Sequence, residues 1–344
     1  MTNEIINPNE SNEDILVQVK NLKKWFPVQT SFVDQLFVKE VDYVRAVDGV
    51  TFNIQRGEVL GLAGESGSGK TTIGRLVIGL EEKTEGDVIF DGIDLSTLSS
   101  EELRKLRRRM QVIFQDPLAS LNPRMSLGDA IKQGLEVHYP ETSDQHRNIV
   151  IDIMEKVGLS PAQFFYNKFP HQISGGQRQR VVIARALVTK PDMILADEPI
   201  AMADVSVRAL LLDLMVQLKN EFNLTYLFIT HDLATAKYIC DRIAILYLGK
   251  IVEMSNLTEV YAHPLHPYTI ALLAAVPVPD PHERRTEPMP KGEIPNPINP
   301  PSGCRYHPRC PYAKEICSEE EPELRELRPG HVSACHFAEL FLEE

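Results

Sequence analysis

The sequence predicts an α/β fold in which helices pack on a mostly parallel β-sheet. Two observations predict this fold, and a third predicts an appended unit. Apolar, strand-like segments alternate with helical segments along most of the chain. A glycine-rich turn joins one such strand directly to a helix. After Tyr268 the composition changes, first to a proline-rich segment and then to a cysteine-rich one, so a small additional unit is expected at the C-terminus.

The length and charge of the chain limit its function. At 344 residues the chain suits one large α/β domain with an appendage. The formal net charge of −12 argues against a nucleic-acid-binding protein, because neutralising phosphates needs a basic surface. We interpret the basic run from Leu103 to Met110 as a solvated helix face or a contact with another protein. No stretch reaches the roughly 18 apolar residues of a membrane span, and the polar N-terminus predicts no signal peptide.

Residues 14–275 are predicted to form the main domain. Its first part has the alternating apolar residues of strands, at Ile15 to Leu22 and at Val44 to Ala63, and the pair Asp91-Gly92 predicts a hairpin turn. A helical subdomain follows at about 116–189, where apolar residues recur at helical spacing. Strands and helices then alternate again, which is the order of a mostly parallel sheet with its loops at the carboxyl edge.

The two ends of the chain differ in composition from the main domain. Residues 1–13 are polar and are predicted to be a disordered lead. Nine of the 24 prolines fall between Pro277 and Pro301, so residues 276–303 are predicted to be an extended linker. Residues 304–344 hold four of the five cysteines and are predicted to be a small, separate, loop-rich unit.

The segment GESGSGKTT matches the phosphate-binding pattern G-x-x-x-x-G-K-[ST], after an apolar strand and before a helix. The glycines let backbone N–H groups face phosphate oxygens, and the helix N-terminus adds a partial positive charge. Lys70 would bridge the β- and γ-phosphates, and Thr71 would bind Mg²⁺. The predicted nucleotide-binding residues here are Gly64, Glu65, Ser66, Gly67, Ser68, Gly69, Lys70, Thr71 and Thr72.

Acidic, amide and imidazole side chains follow other short apolar strands. Asp197 and Glu198 end the strand in MILADEP, where Asp197 would lie near Mg²⁺ and Glu198 near an attacking water. Gln115 in VIFQDP and His231 in FITHDL also follow strands. Because the carboxyl ends of parallel strands meet at one sheet edge, these side chains and the phosphate loop predict one nucleotide-hydrolysing site.

A second glycine-containing turn, ISGGQRQR, precedes a predicted helix. Ser174 is a predicted N-cap, and Gly175 and Gly176 leave the helix amides uncovered. Such a terminus attracts an anion by only about 0.3–1 kcal/mol, and this one has neither a lysine nor a metal ligand. It can therefore complete a nucleotide site but cannot form one. We predict a head-to-tail pair of domains in which Ser174 to Gln177 of one faces the phosphate loop of the other.

In these motifs the sequence resembles the ATP-binding-cassette (ABC) family, over about residues 15–275. The family's motifs in chain order are Walker A (Gly64 to Thr71), the Q-loop (Gln115), the signature (Ser174 to Gln177), Walker B (Asp197, Glu198) and the switch histidine (His231). The resemblance implies a P-loop, RecA-like ATPase core with an antiparallel β subdomain and an inserted helical subdomain.

The resemblance also implies roles for single residues. Glu198 would be the general base, His231 would contact the γ-phosphate, and Gln115 would link the nucleotide to a transmembrane partner. Asp204 keeps its place after Walker B, but the family's serine is replaced by Ala201, which puts a hydrogen bond across the dimer in doubt.

The implied cofactors are ATP and Mg²⁺. Phe26 falls at the position of the family's adenine-stacking aromatic residue, with Trp25 and Tyr43 as alternatives. The implied ligands of Mg²⁺ are Thr71, Gln115 and Asp197.

Three segments resemble the oligopeptide and dipeptide importer branch, most closely the second of its paired ATPases: FQDPLASLNPRMSLGDAI, HPLHPYTIALLAAVPVPDP and GCRYHPRCPYAKEIC. Related transporters take up oligosaccharides or nickel. The branch implies a peripheral ATPase on the cytoplasmic face of the membrane. Its partners would be two permease subunits, an extracytoplasmic solute-binding protein and a paralogous ATPase or second copy. A soluble cassette ATPase acting on nucleic acid or ribosomes and a regulatory iron–sulfur sensor are the alternatives.

The tail cysteines, Cys304, Cys310, Cys317 and Cys335, are separated by 5, 6 and 17 residues. Four thiolates in a loop-rich unit suit a [4Fe–4S] cluster or tetrahedral zinc, although the spacing lacks the paired C-x₂-C of common zinc sites. The related importers imply a [4Fe–4S] cluster, with zinc or no metal as alternatives. Three histidines could replace a cysteine as ligand: His307, His331 and His336.

Overall fold

The computed structural model describes residues 14–28, 42–276 and 292–342. The predicted disordered lead, 1–13, and residues 277–291 of the predicted linker lie outside the described residues. No helix in the described part of the chain is both long and apolar enough to cross a membrane.

Strands and helices alternate along the described residues, as the sequence predicts. The strands are β1 (Ile15–Pro27), β2 (Tyr43–Gln55), β3 (Val59–Ala63), β4 (Glu85–Phe90), β5 (Ile93–Asp94), β6 (Met110–Ile113), β7 (Met193–Asp197), β8 (Thr225–Thr230), β9 (Arg242–Tyr247), β10 (Lys250–Asn256), β11 (Arg325–Arg328) and β12 (His331–Ser333). The helices are α1 (Lys70–Val77), α2 (Ser100–Leu106), α3 (Pro117–Ser120), α4 (Leu127–His138), α5 (His146–Lys156), α6 (Ala162–Tyr166), α7 (Gly175–Leu187), α8 (Val205–Phe222), α9 (Leu233–Ile239), α10 (Leu257–Ala262), α11 (Pro267–Ala274) and α12 (Ile316–Glu319).

Of the residues that the structure describes, the first compact unit contains 14–28, 42–54, 60–96, 230–276 and 292–342. One of its sheets has the order β2-β1-β4-β5, in which β1 pairs antiparallel with β4 and β4 with β5. Asp91 and Gly92 join β4 to β5 with positive φ angles of 51° and 77°, as a tight hairpin turn requires. The predicted antiparallel β subdomain is therefore present. Separately, β3 pairs in parallel with β9, and β9 pairs antiparallel with β10.

The second unit contains residues 55–59 and 97–229. Strands β6, β7 and β8 pair in parallel, and every residue of β7 and β8 is buried. Burial on both faces explains why the residues inside these strands, Met193 to Ala196 and Tyr226 to Ile229, form continuous apolar runs instead of alternating with polar residues. Helices α4 to α7 pack on one another within the predicted helical region. A side chain at Gly128 of α4 would lie 2.5 Å from the ring of Tyr166, so this glycine allows α4 and α6 to approach closely.

The cysteine-rich tail pairs with a strand of the first unit. Strand β12 runs antiparallel to β10, with Glu253 opposite Ser333, and β11 pairs with β12. Leu265 packs in a small apolar cluster with the tail residues Ala338 and Phe341. A segment this short buries little apolar surface alone, and pairing with β10 supplies both apolar contacts and backbone hydrogen bonds.

Candidate nucleotide-binding site

The phosphate loop, Gly64 to Thr72, leads from β3 into α1. Gly64, Gly67 and Gly69 have positive φ angles of 147°, 79° and 103°, which residues with a side chain rarely adopt. The Nζ of Lys70 donates hydrogen bonds to the carbonyl oxygens of Gly64 and Glu65, both at 2.8 Å. The carbonyl groups of the loop therefore fix the position of the Lys70 ammonium group, which can bind a phosphate there.

Replacing Gly69 with Ala is expected to weaken binding of both MgADP and MgATP by roughly tenfold or more. A Cβ at Gly69 would lie 2.2 Å from the carbonyl oxygen of Ala46, and an L-residue at this φ adds strain of about 1–3 kcal/mol. Calorimetric titration with MgADP would measure the change. Gly92→Ala is the matched control, because Gly92 also has a positive φ, of 77°, but an added Cβ would meet no atom within 4 Å. Equal affinities of the two variants would contradict the prediction.

Asp197 and Glu198 lie at the carboxyl end of β7, where the sequence places them. Asp197 is buried, with 8% of its surface exposed. Glu198 has a positive φ of 46°, an uncommon and strained conformation for a residue other than glycine, and its N–H donates to the carbonyl of Ile229 at 3.0 Å. The Nε2 of Gln115 donates to Oε2 of Glu198 at 2.8 Å. The structure thus brings together two predicted catalytic residues, Gln115 and Glu198. The Gln115 amide orients the Glu198 carboxylate, which can accept a proton from water.

The segment Ser174 to Gln177 begins α7. The hydroxyl of Ser174 accepts a hydrogen bond from the N–H of Gln177, and the Gln177 side chain accepts one from the N–H of Ser174, so the predicted N-cap is present as a full capping box. A Cβ at Gly175 would meet no atom within 4 Å, whereas one at Gly176 would lie 2.8 Å from Val207 of α8. Gly175 therefore leaves the helix terminus open, and Gly176 allows α7 to pack against α8.

Two further predicted residues lie at the ends of elements. His231 follows β8 and is exposed to solvent. Asp204 precedes α8, and its carbonyl oxygen accepts hydrogen bonds from the N–H groups of Val207 and Arg208. The roles implied for both residues in contacting nucleotide or a partner stay predictions.

The three candidate adenine-stacking aromatic residues differ in their surroundings. Phe26, in β1, is half-buried, with the ammonium of Lys24 4.8 Å from its ring. The indole N–H of Trp25 donates to Asp48 at 3.1 Å, which fixes that ring within the first unit. Tyr43 is 43% exposed. Phe26 stays the predicted stacking residue.

The four tail cysteines line one cavity of about 20 Å³, next to the rings of His266 and Tyr306. Burial raises the pKa of Cys304 and of Cys310 to about 11, and that of Cys335 to about 12. The four cysteines therefore lie close together in the fold, as binding one common group would require.

The thiols as arranged do not fit the expected [4Fe–4S] cluster. The 20 Å³ cavity has room for about one water molecule, far less than a cluster of eight atoms. Within residues 14–28, 42–276 and 292–342, no group of three or more His, Cys, Asp or Glu side chains has a spacing that would hold a metal ion. The expectation of a cluster is therefore not supported by the structure.

The histidines considered as alternative ligands have other partners. Nε2 of His331 lies 2.7 Å from Oε1 of Glu253, and both side chains are fully buried. Nδ1 of His307 lies 2.9 Å from the Cys304 carbonyl oxygen, and Nε2 of His336 lies 2.9 Å from that of Glu320.

The residues that join the tail to the phosphate loop were not predicted from the sequence. Arg309 forms an ion pair with Glu65, and the hydroxyl of Tyr268 accepts a hydrogen bond from the N–H of Glu65 at 2.9 Å. Arg305 similarly forms a buried ion pair with Asp48 of β2. The sequence shows the two arginines of the tail segment RYHPR, but nothing in it indicates that they pair with Asp48 and Glu65.

Two family models match the chain. The model described as "ABC transporter" matches residues 47–201, which include the phosphate loop, Gln115 and Glu198. The model described as "Oligopeptide/dipeptide transporter, C-terminal region" matches residues 252–317. The second match extends from β10 into the tail as far as Cys317.

Individual proteins agree with these models. The chain is 47% identical to the oligopeptide transport ATP-binding protein AppF of Bacillus subtilis, over 95% of this chain and 98% of that protein. The solved dimer of the ATP-binding cassette MJ0796 with ADP and phosphate has a TM-score of 0.61 and 31% identity, and covers 70% of this chain and 99% of its own. CbiO1 of Clostridium perfringens, part of the CbiONQ ABC transporter complex, has a TM-score of 0.61 and 28% identity, with 73% and 92% covered. The predicted α/β fold with a P-loop core is confirmed.

Proposed function

Because the chain belongs to the ABC transporter family of ATP-binding subunits, we propose that it hydrolyses ATP to energise import of oligopeptides or dipeptides through separate permease subunits. The observation that carries the proposal is the likeness to AppF, an oligopeptide transport ATP-binding protein, over 98% of that protein's length. The likeness spans the nucleotide-binding domain and the cysteine tail together, so it concerns the whole subunit and not the shared ATPase core alone.

In the proposed reaction the amides and Lys70 of the phosphate loop bind the phosphates, and Glu198, oriented by Gln115, accepts a proton from the attacking water. His231 contacts the γ-phosphate. The hydroxyl, amide and carboxylate oxygens of Thr71, Gln115 and Asp197 are the hard ligands that Mg²⁺ prefers, so this donor set fits the ion. When bound, Mg²⁺ neutralises charge on the phosphates.

The proposed working form is a head-to-tail dimer of ATPase subunits. The open capping box at Ser174 to Gln177 supports this, because it offers helix amides without a lysine and can only complete a site that another chain begins. The second subunit would be a paralogue or another copy of this chain. The pair would bind two permease subunits at the cytoplasmic face of the membrane, which receive solute from an extracytoplasmic binding protein.

The [4Fe–4S] cluster expected in the tail is not included in the proposed function. Since the cysteines as arranged do not fit it, no step of the reaction is assigned to a metal there. Iron, sulfide and zinc analysis after anaerobic purification would test the cluster directly.

The proposed function is tested by transport. The chain, with the permease subunits and solute-binding protein, would be reconstituted in liposomes, and uptake of a radiolabelled tripeptide would be measured. We expect uptake that requires MgATP and is lost in the Lys70→Ala variant. Unlabelled peptide should compete, whereas nickel or an oligosaccharide should not. ATPase activity stimulated by RNA or ribosomes without membranes would contradict the proposal and favour a soluble cassette ATPase.

A further inference from the structure

Arg309, in the cysteine-rich tail, contacts the phosphate loop through Glu65. Its Nη1 donates to Oε2 of Glu65 at 2.7 Å and its Nη2 to Oε1 at 3.1 Å, so the guanidinium and carboxylate form a bidentate pair. The Arg309 side chain is 9% exposed and that of Glu65 is 29% exposed. The hydrogen bond to Glu65 raises the pKa of Arg309 above its usual value. A pair with this geometry and burial is better ordered than an ordinary surface ion pair.

Aromatic side chains hold Arg309 in place. Its guanidinium lies 5.9 Å from the ring of Tyr247 and 6.0 Å from that of Tyr306. The rings of Tyr247, Tyr306 and Tyr268 pack against one another, with centroids 4.7 to 5.3 Å apart. The hydroxyl of Tyr268 also accepts a hydrogen bond from the N–H of Glu65. Both the carboxylate and the amide of Glu65 are thus fixed by residues beyond the core motifs.

The charge of Glu65 matters because of its place in the loop. Glu65 follows Gly64, and its carbonyl oxygen accepts a hydrogen bond from Lys70. A carboxylate without a counter-ion here would repel the phosphates of ATP, whereas a paired one has little net field. We propose that Arg309 is a positioning residue of the ATP site, through which the C-terminal tail raises the affinity for MgATP by neutralising and orienting Glu65. This inference rests on the proposed function, because it concerns binding of the nucleotide.

The test combines Arg309→Ala, Glu65→Gln and the double variant in the full chain. Arg309→Ala is expected to raise Kd for MgADP and KM for MgATP about three- to tenfold, with kcat little changed, because the unpaired carboxylate repels the nucleotide before and during the reaction alike. Glu65→Gln should lower Kd for MgADP below the wild-type value, because the positive charge of Arg309 is then no longer neutralised by a carboxylate. The double variant should return to near the wild-type affinity, since no carboxylate is left to neutralise.

Arg325→Ala is the matched control. Arg325 also lies in the tail and forms a bidentate pair, but its partner is Glu339, another tail residue, and its side chain is 41% exposed. We expect its affinity for MgADP to equal that of the wild type. Arg309→Lys keeps the charge with fewer hydrogen bonds and should give an intermediate Kd, which keeps the test valid if Arg309→Ala does not fold.

A purely structural role for Arg309 gives a different pattern. Arg309→Ala would then lower the melting temperature without changing Kd, or Glu65→Gln would weaken binding as much as Arg309→Ala, and the double variant would not recover. Either result overturns the inference. If the wild type itself bound no MgADP, the proposed ATPase function would be wrong. If the wild type bound MgADP and Arg309→Ala bound it equally well, only the inference about Arg309 would be wrong.

Discussion

Replacing Glu198 with Gln is expected to slow ATP hydrolysis by about 10²- to 10⁴-fold, the usual contribution of a positioned general base, while MgATP still binds. The new amide has nearly the same shape, and its oxygen can still accept the hydrogen bond from Nε2 of Gln115, so the local structure should be kept. It cannot, however, accept the proton of the attacking water. Phosphate release and calorimetric titration would measure hydrolysis and binding separately.

The control for this variant is Glu136→Gln. Glu136 is an exposed carboxylate of α4 that pairs with Lys132 at 3.1 Å and has no predicted role at the ATP site, so hydrolysis should be unchanged. Hydrolysis at the wild-type rate in the Glu198→Gln variant would exclude Glu198 as the base.

The mass of the Glu198→Gln variant in solution then decides the composition of the working dimer. A dimer that appears only with MgATP would show that Ser174 to Gln177 can complete the site on an identical chain. A monomer that still binds MgATP would show that the segment requires a paralogous subunit.

Replacing Glu253 with Ala is expected to reduce the free energy of unfolding by about 3–5 kcal/mol, because it removes a buried acceptor from several hydrogen bonds and each buried donor left without a partner costs about 1–3 kcal/mol. Glu253 is fully buried, and its carboxylate accepts hydrogen bonds from the N–H groups of Leu265 and His266, at 2.7 and 2.9 Å, and from Nε2 of His331. The change would leave these donors in an apolar environment. Urea unfolding followed by circular dichroism would measure the loss.

Two further variants make this prediction specific. Glu253→Gln keeps most of the shape and one acceptor oxygen, so it should lose less stability than Glu253→Ala. Glu101→Ala removes an exposed carboxylate that pairs with Arg104 in α2, and the unfolding midpoint should not change. An unchanged midpoint in the Glu253→Ala variant would mean that β12 is not docked through His331 in solution.

The two predictions concern different kinds of residue. Glu198 lies in a strained backbone conformation at a strand end, where strain persists only because the surrounding sheet fixes it. Glu253 has no predicted chemical role, and it joins the tail to β10 and α11. Loss of activity without loss of stability is therefore expected for the first, and loss of stability for the second.

The sequence alone was enough to predict features that depend on neighbouring residues. The phosphate loop, the N-cap at Ser174 and the hairpin turn at Asp91-Gly92 each depend on a fixed spacing of a few residues, and each is present. The alternation of strands and helices predicted the α/β fold because burial on one face leaves a periodic pattern along the chain. The domain boundaries at 275 and 304 stay predictions.

Only the tertiary structure showed how the tail is attached and where its side chains point. The pairs Arg309–Glu65 and His331–Glu253 join residues 244 and 78 positions apart, and contacts at such separation leave no periodic signal in one sequence. The same limit explains the cysteines. Four thiols in a loop-rich segment suited a cluster or zinc and the related importers implied a [4Fe–4S] cluster, but neither specifies the size of the cavity or the direction of the thiols. Turns, helix caps and the phosphate loop depend on residues a few positions apart, so the sequence predicts them. Ion pairs between distant residues depend on how the whole chain packs, so only the folded structure shows them.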